Sequence, residues 1–173
     1  NEYIYRQSYD NLRILGGKLI DKEVLRENDK YIIKLKEEIS IPESSDQTLF
    51  EEQVTLVGLP FRQAKRSKDY VKMEIYKEII LYDEKSTMNI KIKLKNMAKD
   101  HRMRLLFGHK LESDFIYPES IFETVERSAY PPKTWENPDY SQNLNRYIQV
   151  KDDSNKGFTV STIGIAEYEQ VKD

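Results

Sequence analysis

The stretch from residue 96 to residue 107, N-M-A-K-D-H-R-M-R-L-L-F, holds the densest set of side chains that could do chemistry. It contains Asn96, followed along the chain by Asp100, His101, Arg102 and Arg104. A carboxylate can orient an imidazole or accept paired hydrogen bonds from an arginine fork. Such groups could fix a tight corner between strands, or hold sugar hydroxyls or a neighbouring domain. The residues alone favour the structural interpretation, because charged networks are often architectural.

A proline-rich loop, predicted over residues 128–145, carries the second candidate site. It contains Tyr130, Trp135 and Tyr140, and aromatic rings offer a flat apolar area with a polar edge on which a sugar can stack. The alternative is a loop anchor tucked against the rest of the fold. The sequence leaves these two interpretations equally open.

Other kinds of catalytic site find little support. A zinc site needs three or four convergent ligands, and the chain offers only His101 and His109, with 0 cysteines, so no metal is predicted on this chain. Neither a G-x-S-x-G elbow nor a glycine-rich phosphate loop occurs, and the pair Gly16-Gly17 predicts a turn with positive φ. The carboxylate couples, including Glu51-Glu52 and Asp152-Asp153, are interpreted as solvated, because neighbours on a strand face opposite ways.

Composition limits the partners. The 173 residues carry 28 Lys+Arg and 30 Asp+Glu, a net charge of −2, which gives no basic face for nucleic acid or an anionic membrane. The longest apolar runs fall far short of the ~20 residues that span a bilayer. The absence of cysteine favours a reducing compartment, so we expect a cytoplasmic protein.

Alternation of apolar and polar residues predicts many short strands. The clearest case is Met88–Asn96, where Met88 and every second residue would face a core, and residues 70–82 with the turn at 83–86 complete a hairpin. Further strands are predicted at 31–36, 54–57, 102–107, 147–150, 157–162 and 164–171. Short helical turns are expected only at 24–27 and 50–53. The pattern predicts an all-β, mainly antiparallel β-sandwich, with one domain over residues 1–173.

The 96–107 stretch resembles the N-x-x-x-D-H-R-L-R-x-x-F segment of bacterial α-mannosidases of glycoside hydrolase family 38. Asn96, Asp100, His101, Arg102 and Arg104 are the matching positions, with Met103 in place of the usual leucine. Weaker matches follow the same order along the chain, at residues 9–13, 31–35, 122–127, 135–138, 157–158 and 164–169. The resemblance therefore covers most of the chain.

The resemblance implies a sandwich of the mutarotase-like supersandwich type within a larger multidomain enzyme. Residues 1–30, approximately, would lead in from a preceding domain. The family's zinc ligands and aspartate nucleophile lie in a catalytic barrel, whose motifs do not occur here, and the family's reaction is retaining cleavage of α-mannosidic bonds. Zinc is thus expected in that barrel, and none on this chain.

We therefore interpret the chain as a non-catalytic domain that supports the catalytic barrel of an α-mannosidase. Its expected partners are the barrel and helical domains of the same polypeptide and a mannoside substrate, with the five motif residues in a structural role or at the rim of the sugar site. One alternative is a free-standing carbohydrate-binding module using Tyr130, Trp135 and Tyr140. Another is a structural domain that drives homo-oligomerisation.

Overall fold

A computed structural model describes residues 12–58, 61–134, 141–154 and 156–171. The chain divides into two compact units, Asn1–Arg104 and Leu105–Asp173. Both consist mainly of antiparallel strands, which confirms the predicted all-β class. A single domain over residues 1–173 stays a prediction.

The first unit contains one four-stranded antiparallel sheet. Its strands, in the order β1-β2-β3-β4, are Lys18–Glu27 (β1), Lys30–Pro42 (β2), Tyr70–Tyr82 (β3) and Met88–Leu94 (β4). The hairpin predicted from residues 70–82 is confirmed, because Leu81 pairs with Met88 and the register continues to Ile75 opposite Leu94. β1 lies within the segment predicted to lead in from a preceding domain.

The two faces of this sheet differ in chemistry. On one face, lysines and glutamates of neighbouring strands form ion pairs, with 2.9 Å between Lys34 Nζ and Glu23 Oε2 and 2.9 Å between Lys72 Nζ and Glu38 Oε1. The other face, here called the apolar face, takes Met88, Ile90, Ile92 and Leu94 from β4 and their aliphatic neighbours from β2 and β3. This separation follows from strand alternation, which sends successive side chains to opposite sides.

The apolar face is buried at one end. Ile41, Met73 and Ala98 form a core cluster there, with Ile39, Val71 and Leu94 packed against it. The β4 prediction is confirmed for the strand, but its apolar residues are only partly covered, since Met88 remains 56% exposed.

One short helix, α1 (Gln47–Val54), follows β2. Asp46 caps it by accepting a hydrogen bond from the Thr48 N–H at 3.1 Å, and its second carboxylate oxygen accepts one from the Lys65 N–H at 3.1 Å. This confirms a helical turn at 50–53. Within the described ranges, no helix is long and apolar enough to cross a membrane.

Three local predictions were wrong. Residues 54–57 are not a strand, because α1 continues to Val54 and Leu56 then adopts a φ of 56°. Residues 24–27 are not helical, since Val24 pairs with Ile33 in the sheet. Residues 102–107 form no strand either, and no strand lies between the end of β4 and Phe115.

The second unit contains shorter strands. They are Phe115–Pro118 (β5), Arg127–Ser128 (β6), Ser141–Asn143 (β7), Tyr147–Lys151 (β8), Gly157–Ser161 (β9) and Glu167–Glu169 (β10). They form one sheet in the order β6-β5-β8-β9 and a pair β10-β7, all antiparallel. The predicted strands at 147–150 and 157–162 are confirmed, and the one at 164–171 is confirmed over three residues. Ile116, Ala129 and Val150 form the core of this unit, and β7 lies within the predicted 128–145 loop.

Candidate functional site

The first half of the motif stretch shapes the backbone as it leaves β4. The Asn96 side chain accepts a hydrogen bond from the Ala98 N–H at 3.1 Å, and Ala98 is buried in the core cluster of the first unit. The Lys99 N–H then donates to the Glu43 carbonyl at 2.7 Å. These bonds place the chain beside residues 43–46, which immediately follow β2. Asn96 therefore has a structural role in this turn.

Asp100 fixes the corner that follows. Its φ is 54°, in the left-handed region that aspartate tolerates better than most residues. Its carboxylate accepts a hydrogen bond from the N–H of buried Ser45 at 3.0 Å, and its carbonyl accepts one from the Arg66 guanidinium. The arginine fork considered for the Asp100 carboxylate is not what the structure shows there: the carboxylate binds the Ser45 N–H, and Arg66 binds the backbone carbonyl of Asp100.

The remaining motif residues follow this corner. His101 is half-buried, and its Nδ1 lies 3.4 Å from the Lys99 carbonyl rather than against the Asp100 carboxylate. Arg102 and Arg104 are exposed. Asn96, Asp100 and the residues that bond to them thus form one corner within the first unit. Arg102 and Arg104 lie in the segment that follows this corner.

The corner anchors Ser45 and Arg66 were not identified from the sequence. Ser45 lies 55 residues from Asp100, and Arg66 lies 34 residues from it. Ser45 and Arg66 also form an isolated antiparallel bridge with each other. No local sequence pattern predicts such contacts, because these segments meet only in the folded chain.

The aromatic candidates are described only in part. Tyr130 is half-buried and packs against the core cluster of the second unit, which agrees with the loop-anchor interpretation for this residue. Trp135 and Tyr140 lie outside the described residues. The sugar-stacking platform therefore stays a prediction.

A buried carboxylate corrects one of the sequence interpretations. Glu52, expected on a solvated face, is 7% exposed, and its Oε1 accepts hydrogen bonds from the backbone N–H groups of Gln63 and Ala64. It fastens the 63–64 segment to α1. Among residues the structure describes, no three His, Asp or Glu side chains converge as metal ligands.

A second buried carboxylate, Glu119, organises the second unit. Both of its oxygens lie 2.9 Å from Arg146 Nε, and the Arg146 N–H donates to Oε2 at 3.1 Å. The hydrogen bonds from Arg146 hold the pKa of the Glu119 carboxyl below its ordinary value of 4.5. Both carboxylate oxygens accept hydrogen bonds from the side chain or the backbone N–H of Arg146. The role of Glu119 is therefore to fix the turn before β8.

We expect the Glu119–Arg146 pair to make the stability of the second unit depend on pH. A carboxyl pKa that is lower in the folded state contributes stability fully above its unfolded value near 4.5, and that contribution disappears as the pH falls through the folded pKa. Glu119→Gln should therefore lower stability at pH 7 and reduce the loss of stability between pH 5 and pH 3. Thermal unfolding across this pH range measures it, with Glu123→Gln, an exposed carboxylate nearby in sequence, as the control. Parallel pH curves for Glu119→Gln and the unsubstituted chain would contradict the assignment.

The sequence profile described as "Glycosyl hydrolases family 38 C-terminal domain" matches residues 3–169. The chain belongs to this family. The resemblance found in the 96–107 motif is thereby confirmed, and the corner at Asp100 is part of a family 38 C-terminal domain.

The relatives of this family 38 chain are much longer proteins. The "Putative mannosylglycerate hydrolase" of Halalkalibacterium halodurans is 33% identical over 175 residues, which include 100% of this chain and 19% of that protein. A crystal structure of an α-mannosidase from Enterococcus faecalis V583 superposes with a TM-score of 0.77 and 30% identity, covering 86% of this chain and 17% of that one. A family 38 protein from Enterococcus faecalis gives 0.84 and 27%, covering 98% and 20%. The chain thus spans about a fifth of the length of these relatives.

Proposed function

We propose that this chain is a non-catalytic β domain of a longer retaining α-mannosidase, in which it supports the catalytic barrel. The observation that carries the proposal is the alignment of the whole chain with one continuous fifth of a relative named for mannosylglycerate hydrolysis. A likeness of similar extent to an α-mannosidase structure supports the same substrate class. The substrate is then a compound with an α-mannosidic bond, such as a mannosyl oligosaccharide or mannosylglycerate.

The described side chains support a positional role in that reaction. Two buried carboxylates, Glu52 and Glu119, accept hydrogen bonds from backbone N–H groups or from an arginine. Zinc and the aspartate nucleophile belong, in this proposal, to the barrel of the longer polypeptide. A rigid neighbour can contribute several kcal/mol by holding the sugar in reactive geometry, on the order of the effect of orientation in general.

The motif corner is the part of the chain that we assign to the rim of the sugar site. Asp100, Ser45 and Arg66 fix the backbone on one side of the corner. Arg102 and Arg104 follow within four residues, and a guanidinium presents several N–H donors to hydroxyl groups in a fixed plane. A corner that does not flex would keep those donors in place.

Assay of the parent protein tests the proposal. We expect the full-length polypeptide to release mannose from an aryl α-mannoside and from mannosylglycerate, with the α-anomer formed first in an NMR time course. Chelator treatment should abolish the activity and added Zn²⁺ should restore it. Activity towards only β-mannosides or another sugar would overturn the substrate class, and initial release of the β-anomer would overturn the retaining mechanism.

A second experiment, on residues 1–173 alone, separates the proposal from the binding-module alternative. Residues 1–173 alone should show neither hydrolysis nor measurable calorimetric binding of mannose and short mannosides. Binding by the chain alone that is lost in Trp135→Ala would instead favour a carbohydrate-binding module. Cytoplasmic location and homo-oligomerisation stay predictions.

A further inference from the structure

Helix α1 carries large apolar side chains on two of its sides. On the inner side Leu49 is buried, together with Glu52, which fastens the helix to residues 63–64. On the outer side Phe50 is 63% exposed and Val54 is 66% exposed. Phe50 and Val54 are four residues apart, so they lie one above the other along the helix. A helix that is apolar on several sides is normally buried on all of them.

The chain leaves α1 through a left-handed residue that is not glycine. The Val57 N–H donates to the Glu52 carbonyl at 3.0 Å. The Leu56 N–H donates to the Gln53 carbonyl at 3.4 Å. These two bonds form the Schellman ending of a helix, in which the left-handed position is usually glycine and sometimes asparagine. Here that position is Leu56, with a φ of 56°.

Leucine is an unfavourable residue at this position. The left-handed conformation brings Cβ close to the following carbonyl oxygen, a cost that glycine avoids. Few contacts within the chain can offset this cost, because Leu56 is 67% exposed. Strained backbone of this kind is concentrated at sites with a function. A contact made outside residues 1–173 would explain both the strain and the exposure.

We propose that Phe50, Val54 and Leu56 form a ridge, here called the α1 ridge, that docks into an apolar groove elsewhere in the same longer polypeptide. Exposed apolar side chains that lie close together mark interaction surfaces, and the apolar side of a helix fits a groove that runs along its axis. The groove is lined by uncharged side chains, because the ridge offers no partner to a charge and an unpaired buried charge is strongly unfavourable.

The length of the relatives supports an occupant from the same polypeptide. About four-fifths of each relative lies outside the aligned region, which is ample to supply the groove. A second copy of the chain is the less favoured occupant. Helix α1 carries the exposed Glu51 and no lysine or arginine, so a symmetric contact between two copies would bring like charges together.

Cysteine labelling of the full-length parent protein tests the docking. Residues 1–173 contain 0 cysteines, and Val54→Cys and Thr55→Cys are conservative changes at adjacent exposed positions. Their side chains point about 100° apart around the helix axis. In the native parent we expect iodoacetamide to modify the Thr55→Cys thiol at least about tenfold faster than the Val54→Cys thiol, as followed by peptide mass spectrometry. In residues 1–173 alone the two rates should be similar. Phe50→Cys replaces Val54→Cys if that variant fails to fold.

Two variants at position 56 test the strained leucine. Leu56→Gly removes the strain, so it should raise the folding equilibrium constant of residues 1–173 about two- to fivefold in urea unfolding. Leu56→Ala keeps the strain and removes most of the side chain, so it should not stabilise the chain. In the parent, Leu56→Ala should accelerate labelling of Val54→Cys, because the ridge has lost a docking side chain. Destabilisation by Leu56→Gly, or unchanged labelling with Leu56→Ala, would overturn the role of Leu56.

The labelling of the parent protein also identifies the occupant. Equal rates for Val54→Cys and Thr55→Cys in the native parent would overturn the docking. Protection of Val54→Cys that disappears on dilution would overturn the same-polypeptide occupant and identify a second copy. Protection that is independent of protein concentration supports the proposal. The inference rests on the proposed function only in placing the chain within a longer protein, and mannoside hydrolysis on the same samples reports on that function separately.

Discussion

Asp100→Ala should destabilise the first unit by about 2–5 kcal/mol in urea unfolding. The change leaves the N–H of buried Ser45 without its acceptor, which costs about 1–3 kcal/mol. It also places alanine at a φ of 54°, at a further cost of about 1–2 kcal/mol for an L-residue without a compensating side chain. If the corner also positions Arg102 in the longer enzyme, KM for a mannoside should rise there as well.

Two variants at the same position separate these contributions. Asp100→Asn retains a side-chain oxygen and tolerates positive φ, so it should lose less than about 1 kcal/mol. Asp100→Gly removes the strain but not the missing acceptor, and should fall between the other two. An Asp100→Ala chain as stable as the Asn variant would refute the role of this carboxylate.

Met73→Ala should have a comparable effect by a different mechanism. Met73 is 3% exposed between Ile41 and Ala98, and the deleted atoms would leave a cavity that the sheet cannot close. Large-to-small changes of this kind cost about 2–5 kcal/mol. We expect a loss in that range, measured as a shift of the urea midpoint.

Met88→Ala is the matched control for this experiment. Met88 lies on the same face of the same sheet but is 56% exposed, so its loss in residues 1–173 should be within about 0.5 kcal/mol. Equal losses for Met73→Ala and Met88→Ala in residues 1–173 would contradict the burial pattern.

Alternation was the most reliable signal for the fold. Residues 70–94 form the predicted hairpin because their apolar and charged residues alternate over many positions, and the register sends most residues of each kind to one face. The prediction was wrong at 102–107, where the same alternation occurs without a partner strand. An isolated strand has no ladder hydrogen bonds, so its local pattern cannot maintain it.

The sequence likewise predicted only part of the candidate site. The 96–107 motif identified the family, and the sequence considered Asp100 as a partner of His101 or of an arginine fork. Its contacts with Ser45 and Arg66 were not predicted, because their positions depend on how β2, α1 and the 64–67 segment return to the end of β4. Glu52 was misassigned to the solvated surface for the same reason, since helix α1 turns it inwards.

The sequence by itself determined the strand-rich class, the charged and apolar sides of the main sheet, and membership of the family, because these depend on local periodicity and on residues that are adjacent in the chain. Only the tertiary structure decided which carboxylates are buried, which arginine meets Asp100, and which part of the apolar face remains uncovered. Those features depend on contacts between segments tens of residues apart, and such contacts form when burial and backbone pairing of the whole unit are satisfied together.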